Sequence, residues 1–182
     1  MMVTEELRKD GYRNVGPIVD GDVGKYVVWP SEGVYADLEL KVLDPSIEFK
    51  ISSPASAFVP AYSAGGRCEI ISDTRIGLRI VRGVNNFFFG RALYQALAVR
   101  HVLAETPPTG GVDKLVWTIA GKTVTIDLSD PGIAMADFDG ADRFKIPWDA
   151  NGAAESLVKK LVLPRDPLQS ILDRLDKIAC NS

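Results

Sequence analysis

Polar and apolar residues alternate strictly between Tyr35 and Val42, where Leu38, Leu40 and Val42 are interleaved with Asp37, Glu39 and Lys41. A period of two means a strand with one face buried and one wet. Asp44-Pro45-Ser46 then reads as a turn, and Ile47–Ser52 as the returning strand of a hairpin. A strand at Lys25–Trp29 precedes it, stopped by Pro30 and entered from the turn Asp20-Gly21-Asp22. Two further hairpins are expected, Cys68–Ser72 with Ile76–Arg82, and Leu115–Ala120 with Thr123–Leu128. Gly121-Lys122 joins the latter pair as a type II′ turn, which sets Trp117 opposite Ile126 and Ile119 opposite Val124. The Ser-, Ala-, Pro- and Gly-rich stretch from Pro54 to Gly66 reads as a loop.

Helical spacing takes over elsewhere. Residues 3–10 suit a short opening helix. Asn86–Glu105 carries Phe89, Ala92, Leu93, Ala96, Val99 and Leu103 on one stripe, with Arg91, Tyr94, Gln95, Ala98, His101 and Glu105 opposite. Pro107-Pro108 and Gly110-Gly111 end it. Asn151 caps a helix to about Leu163. Asp166 and Pro167 then open a last helix with the stripe Leu168, Ile171, Leu172, Leu175 and Ile178. The expected architecture is α+β (mixed α/β), a central sheet of antiparallel hairpins with about four helices. Residues 1–182 form one domain, with a core over about 25–128 and a helical segment over about 151–180. The closing helix either packs on the sheet or joins two copies in a homo-oligomer.

Composition removes whole classes. Among 182 residues, 46% are hydrophobic and 25% charged, with a net charge of −3, so disorder is not expected. No apolar run reaches the roughly 20 residues of a membrane span. Cys68 and Cys180 lie far apart without a Cys/His cluster, which argues for free thiols rather than zinc. The N-terminal residues lack the basic and apolar regions of a secretion signal, and the expected location is cytoplasmic.

Three tempting motifs fail. Gly121-Lys122-Thr123 lacks the upstream glycine of a phosphate loop, because Val116 stands there, and it joins two strands. The run Asp137-Phe138-Asp139-Gly140-Ala141-Asp142 has Ala141 and Trp148 where a calcium loop needs an oxygen ligand and a glutamate, so it reads as a solvated acidic loop. His101, the single histidine, sits four residues before Glu105 as an ordinary helical pair, and no serine or cysteine stands in a nucleophile elbow.

Two constellations remain. The first is Asp37 on one strand with Glu48-Phe49-Lys50 on its neighbour, echoed by Glu39-Leu40-Lys41. Two carboxylates can hold a divalent cation while a lysine supports the attacking water. These residues resemble the core motif of the PD-(D/E)xK nuclease superfamily, with Ala36-Asp37 for its first half and Glu48-Phe49-Lys50 for its second. The Gln95-bearing helix and the following apolar strand Lys114–Ile119 are similar to the elements many members place next. The resemblance implies a metal-dependent phosphodiesterase with catalytic Asp37, Glu48 and Lys50, and Mg²⁺ or Mn²⁺ held by Asp37 and Glu48. Were the strand pair before the helix the true equivalent, Leu78-Arg79-Ile80 would lack the acid and the member would be inactive.

Register decides whether such a site can form. If Lys41 faces Glu48, then Glu39 faces Lys50, giving two opposite-charge pairs, each about 0.2–1 kcal/mol. Asp37 and Glu48 would then lie roughly 13 Å apart at ~3.3 Å per residue.

The second constellation is six arginines between Arg67 and Arg100, with no lysine and only Glu69 and Asp73 against them. Arg67, Arg79, Arg82 and Arg91, with Gln95, are candidate phosphate- or carboxylate-binding residues. The bland alternative pairs Arg79 with Glu69 across the second hairpin. The leading expectation is a nucleic-acid-associated protein with a nuclease-like core. The alternative is a non-enzymatic binding or assembly protein that needs no cofactor, whose arginine surface contacts an acidic partner protein or another copy.

Overall fold

The computed structural model describes residues 2–30, 34–56, 59–70, 72–102, 104 and 107–161. Helix α1 (Met2–Lys9) leads into a five-stranded antiparallel meander, β1 (Arg13–Asp20), β2 (Val23–Trp29), β3 (Ala36–Leu43), β4 (Ser46–Ser53) and β5 (Tyr62–Glu69). Helix α2 (Asp73–Val99) follows, then a four-stranded meander, β6 (Lys114–Ile119), β7 (Lys122–Asp127), β8 (Ala134–Phe138) and β9 (Phe144–Ile146). Helix α3 (Ala150–Lys160) comes last. The fold is therefore α+β, with two antiparallel sheets rather than one central sheet, and three helices among the described residues. The expected closing helix at 166–180, with Cys180, lies outside the described residues.

The first hairpin has the anticipated register. Lys41 stands opposite Glu48 and Glu39 opposite Lys50. The second expected hairpin does not exist. Ile76–Arg82 is instead the first part of α2, whose N-cap is Ser72, its side chain accepting from Arg75 N–H. Residues four apart satisfy both a period of two and a helical period, so Ile76 and Ile80 mislead; Leu78 between them is exposed. The strand that pairs with β4 is β5, most of which lies in the stretch expected to be loop. Its glycines are packing residues: a Cβ on Gly66 would stand 2.6 Å from the Phe49 ring.

Helix α2, about 40 Å long at ~1.5 Å per residue, is apolar on two opposite faces. Ile76, Ile80, Val84 and Phe87 join α1 and the inner face of the five-stranded sheet in one core. Phe89, Leu93, Ala96 and Leu97 join the four-stranded sheet and α3 in another. The single stripe expected from the sequence is thus replaced by two, with Ala92 and Val99 left exposed. Gly83 and Gly90 sit where the helix touches each sheet, a Cβ there falling 2.5 Å from Phe49 and 2.7 Å from Leu115.

Two local details also differ. Ala120 and Gly121 both have positive φ, and Ile119 pairs with Lys122, which is the two-residue type I′ pattern. Trp117 therefore faces Val124, and Leu115 faces Ile126. The N-cap of α3 is Asp149 rather than Asn151, its Oδ1 accepting from Gly152 N–H at 2.7 Å.

Candidate functional site

Alternation in β2–β5 sends Tyr26, Leu38, Phe49, Ile51 and Ala64 inward and leaves the opposite face mostly to polar side chains, with Val23 and Val27 of β2 among them. The registers assemble that outer face into rows. One runs Lys25, Glu39, Lys50, Gly65 across β2 to β5. The next runs Val23, Lys41, Glu48, Arg67. Each carboxylate thus lies between two cations, and among the described residues none of these charges closes an ion pair with another in its row. A shallow groove of about 650 Å³ opens over β3–β5, lined by these charges, Gly65, Gly66 and Gly110. It exists because β5 carries Gly65 where an outer-face side chain would fill it, and because the 109–113 segment rises beside it, its Val112 N–H donating to Gly65 O at 3.1 Å. Arg67 is oriented by donating from Nε to Ser46 Oγ at 2.9 Å, and among the described residues its two terminal nitrogens have no partner.

Asp37 stands opposite Ser52, four residues along β4 from Glu48. At ~3.3 Å per residue that separates the two carboxylates by about 13 Å. A shared Mg²⁺ or Mn²⁺ needs both oxygens within about 2–2.6 Å of one ion, so these residues do not fit the implied metal. Among the described residues no group of three or more His, Cys, Asp and Glu side chains could hold a metal ion. Strand β6, which follows the helix in sequence, belongs to the other sheet and does not lie beside β3 and β4.

The arginines do not gather on one surface. Arg79 lies over the Phe49 ring at 5.5 Å and pairs with Asp113, not Glu69. Arg82 donates to Leu128 O at 2.8 Å, and buried Asn86 donates to Asp113 Oδ1 and Leu128 O at 3.4 Å. This network clamps α2 to the ends of β6 and β7. Arg91 follows the inward stripe of Ile80, Val84 and Phe87, which buries it; its guanidinium donates to Ser53 Oγ and to Pro54 O. Burial pushes its pKa down. Arg100 caps α2 and bonds Ala96 O at 3.0 Å, and Gln95 is exposed on the solvent side of α2. Of the candidates, only Glu48, Lys50 and Arg67 line the groove. Alternation alone does not mark Lys41, Gly65 and Gly66 as groove residues; a paired glycine within an alternating stretch is the signal that marks such a hollow.

The remaining motifs have structural uses. Asp139 Oδ1 accepts from Thr123 N–H at 2.8 Å and Asp137 Oδ1 from Gly140 N–H at 3.1 Å, so both aspartates serve turns. His101, at φ 58°, closes α2: its N–H reaches Ala98 O, and Val102 N–H reaches Leu97 O, both at 3.0 Å. That is a Schellman ending with histidine in the left-handed position. Its expected partner Glu105 lies outside the described residues. Cys68 is a free thiol, half-buried, and burial raises its pKa.

Comparison with family models, with curated proteins and with solved structures finds no match to this chain. No helix among the described residues is long and apolar enough to cross a membrane.

Proposed function

We propose that the protein is a non-enzymatic binding module that holds an acidic segment of a partner protein in the groove on the outer face of the five-stranded sheet. The supporting observation is the pair of charge rows, Lys25–Glu39–Lys50 and Lys41–Glu48–Arg67, in which two cations flank each carboxylate. The Lys41–Glu48–Arg67 row therefore keeps one positive charge unneutralised, whereas in the other row Lys25 is also approached by Asp20 at 3.9 Å. Arginine's planar fork suits a carboxylate, and Arg67 is held in place with that fork open. A floor of Gly65, Gly66 and Gly110 lets a partner backbone approach closely. Rim charges of this kind set orientation and association rate more than raw affinity.

The test is fluorescence anisotropy with a labelled poly-glutamate peptide, run beside a single-stranded DNA of equal length with and without Mg²⁺. The peptide is expected to bind, with affinity falling as salt rises. Arg67→Glu and Lys41→Glu should each weaken it about tenfold, and Asp37→Ala should leave it unchanged. Tighter binding of the DNA, or Mg²⁺-dependent cleavage lost in Glu48→Ala, would overturn the proposal in favour of a nucleic-acid or phosphodiesterase role.

A further inference from the structure

Among the described residues, strand β1 is the unpaired edge of the five-stranded sheet, whereas the opposite edge, β5, already receives Val112 N–H. An unpaired edge is a template for another strand, and proteins usually blunt it with charge, proline or a bulge. β1 carries an irregularity at Gly16-Pro17, between Val15 and Ile18. It nevertheless displays Val15, Ile18 and Val19 at 59%, 69% and 69% exposure. Val15 and Ile18 stand with Val27 over an outer-face hollow of about 340 Å³. The two ends of the strand carry opposite exposed charges, Arg13 and Asp20. Among the described residues Asp20 pairs with Lys25 alone, at 3.9 Å, with its side chain 82% exposed.

We infer that β1 pairs antiparallel with β1 of a second copy of this chain, about a two-fold axis passing between Gly16 and Pro17. In that register Val15 lies opposite the partner's Ile18, and Arg13 lies opposite the partner's Asp20. The two-fold makes each contact twice, so four aliphatic side chains meet at the centre and an opposite-charge pair closes each end. Parallel pairing in register would instead set like charges against each other at both ends. Pro17 has no N–H to offer, and the axis places it beside the partner's Gly16, so the missing donor interrupts the centre of the ladder and spares its flanks. A two-fold contact uses β1 of both copies, and the 109–113 segment engages β5 at Gly65, so the assembly closes at two copies and does not grow into a filament. This surface borders the acidic-segment groove over β3–β5, and Glu39 lines both hollows.

Sedimentation equilibrium of the full chain over a range of concentrations tests the inference. The expected result is a monomer–dimer equilibrium that weakens about tenfold or more in Arg13→Asp and in Asp20→Arg, and returns in the double variant carrying both. Ile18→Lys should give a monomer. Far-UV circular dichroism and the thermal melt of each variant confirm that the fold is intact. A native chain monomeric at high micromolar concentration would overturn the inference. So would a dimer unmoved by both charge reversals, or species larger than a dimer.

Discussion

His101 is the only histidine in the sequence, and its backbone ends a helix. A non-glycine residue in the left-handed region costs about 1–2 kcal/mol, so His101→Gly should raise stability by about 0.5–1 kcal/mol, measured by urea denaturation. Loss of stability would show that the imidazole has a partner. Asp127 makes a second test. Its carboxyl is held below the ordinary value of 3.8, first by the Ser129 hydroxyl, then by the Ser129 N–H and Arg143, with burial opposing. A carboxylate whose folded pKa is depressed stabilises the fold above its unfolded pKa, and that contribution is lost as pH falls through the folded value. Ser129→Ala should therefore melt below the native chain at pH near 7, and the gap should close on acidification to below about 3.8. A gap that persists in acid would contradict the assignment.

Helix α2 shows where local pattern misleads and why. The β3–β4 hairpin was legible because turn, alternation and cross-strand charges all favour one register. The start of α2 was not. Ile76, Ile80 and Val84 serve one sheet while Phe89, Leu93 and Ala96 serve another, and a single-stripe reading of the sequence shows only the second. Gly77, Gly83 and Gly90 look like breakers, yet Gly83 is small because Phe49 presses against it. Gly83→Ala would ordinarily favour a helix by up to about 1 kcal/mol. Here it should destabilise by about 1–3 kcal/mol through overpacking, and Phe49→Leu in the same chain should recover part of the loss. A stabilising Gly83→Ala would refute the close approach. The groove was half legible: Glu48, Lys50 and Arg67 were marked, but as parts of two unrelated clusters. Only the β4–β5 pairing, hidden in a Ser/Gly-rich stretch, brings Arg67 to Glu48.

At the scale of the whole molecule, one helix supplies a wall to both cores, and the clamp of Arg79, Arg82, Asn86, Asp113 and Leu128 ties it to the second sheet. Neither sheet keeps its core if α2 unfolds. Tryptophan fluorescence, which includes buried Trp117 of the second sheet, should therefore report the same urea midpoint as far-UV circular dichroism. Two separated transitions would mean that the cores are independent. A two-dimensional ¹H–¹⁵N titration of the labelled chain with a poly-glutamate peptide tests most directly whether the groove on the outer face of the first sheet holds an acidic segment. The predicted shifts fall on Lys41, Glu48, Lys50, Gly65, Gly66 and Arg67, and leave α3 and Gln95 unmoved. Shifts centred on α2 or the second sheet, or none at saturating peptide, would contradict it.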